Sequence, residues 1–371
     1  MTIKPIRVLM VSKACVVGIY QRKLEHIAQH GIDLKVVVPP AWQDERGTTP
    51  LERAYTTGYT LDVLPLRFNG NFHLHFYRGL RGVIRDFKPH IVHIDEEPYN
   101  LATWQCLYHA KQIGAKALFF TWQNILRQYP IPFRWGERWV LRHSDYALVG
   151  TDSAGEVWRA KGYTGRMKTI PQFGTDTDLF KPQNEVIQRR NGFTIGYIGR
   201  LVEEKGVQIL LQAVAQLSGD WSLRILGSGP YQATLVQLAS QLGILERVSF
   251  DSPLPSQQIP AYYHRLDVLV LPSLTRSNWK EQFGRVLVEA MSSGVPVIGS
   301  DSGAIPGVIG EAGFVVPEAN VNALADILMT LQSDFSLRAH LSMLGRERVL
   351  QHFTHEQIAK ETVAVYHEML D

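Results

Sequence analysis

The chain has 371 residues, 45% of them hydrophobic and 20% charged, with a formal net charge of +3. That length exceeds what one compact core needs and suits two domains of ordinary size. The nearly balanced charge does not single out nucleic acid as a partner, and two cysteines, Cys15 and Cys106, exclude a disulfide scaffold and lack metal-ligand spacing, so a reducing compartment is the default.

The opening stretch, MTIKPIRVLMVSKACVVG, has an apolar run broken by Ser12 and Lys13, with no A-x-A cleavage pattern after it. It reads as a first buried strand over 6–11 rather than a signal peptide. No segment reaches transmembrane length. The expectation is a cytoplasmic protein, with a peripheral position at the inner face of a membrane left open.

Short apolar runs then alternate with helical stretches, the pattern of parallel sheets with helical crossovers. Strands are expected at 33–39, 61–66, 90–95, 116–121 and 146–151, and the helix YQRKLEHIAQHG stops on Gly31. Residues 171–192, rich in Pro, Asn, Gln and charge, read as a linker. The alternation restarts with strands at 193–199, 221–227, RVSFD, 267–272, 295–300 and 313–316, and the tail HFTHEQIAKETVAVYHEML is an amphipathic helix. The expected architecture is α/β: two Rossmann-like doubly wound domains facing a central cleft, at 1–170 and 193–354, with a ligand at the strand carboxyl ends.

Four stretches carry chemistry. In YIGRLVEEKG, Gly199 ends a strand and Arg200 and Lys205 share the following loop, where an arginine fork and a lysine point charge suit phosphate. A solvated basic loop is the competing reading. LGSGP supplies Gly227 and Gly229 at a second strand end, a turn that αβ units also use routinely. WKEQFGRVLVE places Glu281 before a helix starting near Gly284 and Glu289 inside it. The first amides of that helix, at Gly284 and Arg285, make a phosphate seat at the positive end of its dipole. Carboxylates flanking such a seat suit the hydroxyls of a nucleoside diphosphate sugar, against the alternative that Glu281 caps the helix and Glu289 forms a buried ion pair. HIDEEPYN offers His93, Asp95, Glu96 and Glu97, which orient acceptor hydroxyls or form a solvated loop; a metal would need better-spaced ligands.

Taken with PSLTRSNWK, PQFGTDTDLFKP and SSGVPVIGSDSGAIPGVI, these motifs stand in an order that resembles the retaining glycosyltransferases of glycosyltransferase family four, which have the GT-B fold. The resemblance is strongest over 170–320. It implies that Arg200 and Lys205 neutralise a leaving diphosphate, that Glu289 binds the ribose, and that Glu281 holds the donor sugar. Phe283, Gly284 and Arg285 would supply the backbone that follows, the final helix 355–371 would cross back onto the N-terminal domain, and the linker would act as a hinge. Gly18 matches one glycine of the family's N-terminal loop, although Val17 stands where a glycine pair is usual. Many relatives have a histidine after the strand ALFFT; here Thr121, Trp122, Gln123 and Asn124 fill that region, which puts one donor contact in doubt.

The implied reaction moves a sugar from a UDP-, GDP- or ADP-linked donor to a glycan or lipid-linked acceptor, with retention. It requires no metal and no cofactor beyond the co-substrate. Asp176-Thr177-Asp178 looks like an Asp-x-Asp metal motif but belongs to the family's hinge sequence. Two basic, aromatic stretches, FHLHFYRGLRGVIRDFK and FRWGERWVLRH, either rest on an anionic membrane or form ordinary amphipathic helices. A monomer or weak homo-oligomer is expected. A GT-B epimerase, a phosphorylase and a non-catalytic nucleotide-sugar binder are the alternatives, and the 275–280 insert has no assigned role.

Overall fold

The computed structural model of the protein describes residues 5–44, 47–183, 192–255 and 258–371. They divide into two units: residues up to Gly174 together with His355–Asp371, and Thr175–Thr354.

The first unit is built on a seven-stranded parallel sheet. Its order is Arg166–Thr169, Tyr146–Val149, Lys116–Thr121, Ile91–Ile94, Arg7–Val11, Asp33–Val38, Thr60–Val63. The central strands are uninterrupted apolar runs because both faces are covered. Val8 and Met10 point into one cluster with Val36, Leu118 and Phe120. Leu9 and Val11 point into the other with Val37, Ala117 and Phe119, as the two-residue period of a strand requires. The helix His355–Leu370 completes the first cluster with Ile358, Val363, Tyr366 and Met369.

The second unit repeats the plan with six parallel strands, ordered Val248–Asp251, Trp221–Leu226, Phe193–Ile198, Val268–Leu271, Val297–Ser300, Gly313–Val316. In both sheets the first strand lies between the second and the fourth. The crossovers therefore reverse direction there, and the loops leaving those two strands diverge around a crevice, the usual ligand position of a doubly wound sheet. Both units are Rossmann-like, and the fold is GT-B.

Three features depart from the sequence expectation. Arg166–Thr169 is an extra strand whose charged sequence, RMKT, hid it; it pairs on one side only, and charge at a sheet edge discourages further pairing. The expected strand 61–66 ends at Val63, and Leu66–Arg67 instead pairs antiparallel with Phe76–Tyr77. The stretch read as a linker is largely claimed by the two units. Phe173 stacks on Tyr20 in the first, with centroids 4.0 Å apart, and Phe180 packs against the core of the second. The rest of that stretch, 184–191, lies outside the described residues. No helix of the described residues is long and apolar enough to cross a membrane.

Candidate functional site

In the second unit the crevice lies where Phe193–Ile198 and Val268–Leu271 end. The loop after the first carries Gly199, Arg200 and Lys205, and the loop after the other carries Ser273 and runs on to Glu281. The fold thus brings Lys205 and Glu281 together from 76 positions apart: Nζ lies 2.6 Å from Glu281 Oε2. Ser273 Oγ donates to the same oxygen at 2.9 Å. Arg200 is exposed, and its backbone carbonyl accepts from the Tyr197 hydroxyl at 2.8 Å, which fixes the turn beneath it.

The glycines have local reasons to be glycine. A Cβ on Gly227 would stand 1.9 Å from the Gly199 carbonyl oxygen, and one on Gly229 would stand 2.2 Å from that of Leu201. The two loops lie against each other and share the bonds Gly199 N to Leu226 O and Leu201 N to Ser228 O. Gly206, beside Lys205, has φ +70°, and its Cβ would meet Pro272 O at 1.8 Å; no other residue fits that approach. Gly303 is as constrained, with φ +58° and a Cβ position 2.0 Å from Glu281 O. The chain on either side of Lys205 and Glu281 is therefore held by backbone against backbone.

The helix Arg285–Ser292 opens on Gly284 at φ +82°. Glu289 does have the ion-pair partner of the simpler reading, Arg285 Nε at 3.2 Å, one turn back on the same helix. It also accepts from Tyr263 Oη at 2.9 Å. Burial pushes its carboxyl above the ordinary range, against the pull of Arg285 and Tyr263. Phe283 turns inward and meets Phe353 edge-on, so its side chain is structural.

In the first unit the corresponding crevice lies beyond Arg7–Val11 and Ile91–Ile94. Ser12 Oγ donates to Asp95 Oδ2 at 2.6 Å, and Lys13 pairs with Glu96 through its ammonium and its backbone N–H. Burial would raise the Glu96 carboxyl, but Lys13 and His75 hold it down to about 2. Glu97 contrasts with it: burial pushes its carboxyl up to about 7, even though Thr121 Oγ1 and Trp122 N donate to it at 2.6 and 2.8 Å. His93 Nδ1 meets Tyr366 Oη at 2.7 Å, and burial keeps the imidazole neutral. His93 Nε2, Asp95 Oδ1 and Asn100 Oδ1 are buried without a hydrogen-bond partner, a costly state for a polar atom unless a guest completes it.

The remaining residues expected near this crevice are internally engaged. Thr121 also accepts from Trp158 Nε1, Trp122 Nε1 donates to Gln172, and Gln123 bonds to the Ile125 carbonyl. Asn124 is buried. Gly18 donates its N–H to Glu52 Oε2 at 2.6 Å, and a Cβ there would strike Glu52 and Ala54 at 2.8 Å, so this glycine fits a neighbouring loop. Asp176 Oδ1 accepts from the N–H groups of Asp178 and Leu179, an Asx-type turn.

Ser273, Tyr263, Gly303 and Trp279 were not singled out as site residues from sequence. Only the SDSG run around Gly303 carried a local signal; the other three reach the site through tertiary packing. The 275–280 insert is a tight turn closed by Arg276 N to Trp279 O at 2.7 Å.

Comparison with known proteins gives the chain its relatives. Residues 19–172 match the model of the glycosyl transferase 4-like domain, and residues 181–348 match that of glycosyl transferases group 1. The GDP-mannose-dependent alpha-(1-6)-phosphatidylinositol monomannoside mannosyltransferase of Mycolicibacterium smegmatis is 33% identical over 52% of the chain. The D-inositol 3-phosphate glycosyltransferase of Corynebacterium glutamicum is 33% identical over 45% of it. The chain spans about half the length of these curated relatives, 54% and 44% respectively. In fold it is similar to the sucrose-phosphate synthase of Thermosynechococcus elongatus, with TM-score 0.73, 21% identity and coverage of 98% and 99% of the two chains. The Anabaena protein HepE in complex with UDP gives TM-score 0.72 at 18% identity, covering 98% of this chain and all of the other. With both halves matched by family models and the fold shared over nearly its whole length, the chain belongs to the group 1 glycosyltransferases of GT-B fold, with a glycosyltransferase 4-like first half.

Proposed function

We propose that the protein transfers a hexosyl group from a nucleoside diphosphate sugar to an acceptor hydroxyl, with retention of anomeric configuration. The observation that carries this reading is Lys205 and Glu281 held together at the crevice of the second unit, beside the start of the helix Arg285–Ser292. Departure of the nucleoside diphosphate builds negative charge on its oxygens. Lys205, Arg200 and the N-terminus of the helix Arg285–Ser292 stabilise that charge as fixed cations and dipoles, and these groups do so without a divalent metal. Glu281 accepts hydrogen bonds from the donor sugar and Glu289 from the ribose. Attack from the face that the leaving group vacates gives retention.

The acceptor side is assigned to the first unit, where the unpartnered atoms of His93 and Asp95 suit hydroxyl groups. A lipid-linked acceptor and peripheral membrane contact have one support. Phe68, Phe72 and Leu74 are exposed on one loop, and Leu126 and Ile131 on another that leads into the helix Phe133–His143, where Trp135 is exposed, with Arg78, Arg81, Arg127 and Arg138 exposed nearby in sequence. The ring of His73 joins the two loops, packing on Tyr129 and Phe133.

The test is a panel of UDP-, GDP- and ADP-sugars, read by thermal shift and by release of free nucleoside diphosphate. At least one donor should raise the melting temperature and be hydrolysed slowly without acceptor. Tight nucleotide binding with no turnover of any donor would leave a binding protein and refute the transferase.

A further inference from the structure

Lys205 is the cation that the proposed reaction needs at the diphosphate, yet it already has an anion. Its pair with Glu281 is largely enclosed, with the two side chains 14% and 11% exposed, and Ser273 completes the shared oxygen. The ammonium also rests over the Trp279 indole, 4.9 Å from the ring centroid.

The 275–280 turn explains how that indole is held. Arg276 Nη2 bonds Glu203 Oε1 at 2.7 Å, and Leu274 N bonds Glu204 O at 2.7 Å. Thr275 is tied to Glu318 and meets Ser302 at 3.0 Å. The insert is thereby fastened to the short 203–205 segment that ends in Lys205, so indole and ammonium are set by one rigid assembly. An indole face attracts a cation whichever anion lies beside it.

We infer that Glu281 is the internal counter-anion of Lys205 in the empty site and that the donor's diphosphate displaces it, with Trp279 holding the ammonium while its partner changes. The inference rests on the proposed function and adds a regulation of the same site. Breaking the Lys205–Glu281 pair opposes the binding of any diphosphate. A sugar-bearing donor offsets that cost, because the released Glu281 gains sugar hydroxyls to accept from. Bare nucleoside diphosphate offers no such hydroxyls. After transfer Glu281 recaptures Lys205 and promotes product release.

The experiment measures binding of UDP, GDP, ADP and inorganic pyrophosphate by calorimetry. It compares the wild-type chain, Glu281→Gln, Lys205→Ala and the double variant. Removing the competing carboxylate should tighten the preferred nucleoside diphosphate about five- to tenfold while abolishing sugar transfer. That gain should vanish when Lys205 is also absent. No tightening, or an equal gain in the Lys205→Ala background, overturns the exchange. Trp279 supplies an independent variant that leaves every carboxylate in place: Trp279→Ala should weaken nucleotide binding and Trp279→Phe restore it, and equal behaviour of the two overturns the role of the ring. A Glu281→Gln chain that binds none of the four probes, although the competing carboxylate is gone, would instead refute the proposed function.

Discussion

Replacing Glu97 by glutamine removes one titration from the first unit while keeping the shape on which the loop after Lys116–Thr121 closes. Burial raises this carboxyl from its ordinary 4.5 to about 7, against the hydrogen bonds from Thr121 and Trp122 that pull it down. The folded state therefore holds the proton more tightly than the unfolded chain does. The stability this group contributes is fully present below pH 4.5 and is lost as pH rises through 7. The interval from 4.5 to about 7, at about 1.4 kcal/mol per pH unit, comes to about 3.5 kcal/mol. Urea unfolding of wild type and Glu97→Gln across pH 5 to 8, followed by tryptophan fluorescence, isolates it, because the 13 histidines titrate alike in both proteins. The variant should gain about 2.5 kcal/mol on the wild type between the ends of that range, because part of the loss has already occurred by pH 5. Parallel stability curves would show that Glu97 stays ionised and would refute the argument.

Four further outcomes follow from the geometry. Gly227→Ala and Gly229→Ala force a methyl into a backbone carbonyl and should each lower stability by about 1–3 kcal/mol; an unchanged melting temperature would mean that the loops separate freely. Arg346 donates to the carbonyls of Thr177, Phe180 and Ser292, so Arg346→Met should cost about 3 kcal/mol and speed proteolysis within 175–183, with wild-type cleavage rates contradicting it. Lys205→Ala should cut turnover about 100-fold or more and also lower the melting temperature, because it leaves the enclosed Glu281 carboxylate without its counter-charge; turnover close to that of the wild type would remove the lysine from the reaction. Burial pushes the Cys15 thiol up to about 12 and raises that of Cys106 as well, so the native protein should resist alkylation at neutral pH and react only once unfolded.

Both sheets were legible in the sequence because buried parallel strands are apolar on both faces and leave a run. Arg7–Val11, Lys116–Thr121 and Val268–Leu271 are of this kind. Arg166–Thr169 was not legible, since an edge strand with one neighbour can carry two cations. Glu281 and Glu289 could be placed relative to their helix from spacing and the Phe-Gly pair alone. Ser273 and Tyr263 could not, because each reaches its carboxylate by tertiary packing across 8 and 26 positions. Glycine was a better guide to crowding than to ligands: Gly18, Gly227 and Gly229 are each required by a neighbouring segment of the same chain. Spacing likewise gave no warning that Glu96 and Glu97, adjacent in sequence, would be driven to opposite sides of the normal carboxyl range.

The helix His355–Leu370 has a consequence for how the protein is made. It fills the first unit's core, yet the ribosome delivers it only after the 180 residues of Thr175–Thr354, counted as 354 − 174. At about 5–20 residues per second, the N-terminal segment waits about 10–40 s for its last core element. During that time the apolar surface around Leu24, Ile27 and Val36, which the helix later covers, stays open to water. The inserted second unit has no such wait, since all of its strands emerge consecutively. Folding during synthesis should thus finish in the middle of the chain before it finishes at the start, and the nascent N-terminal segment is the one whose apolar surface stays exposed longest.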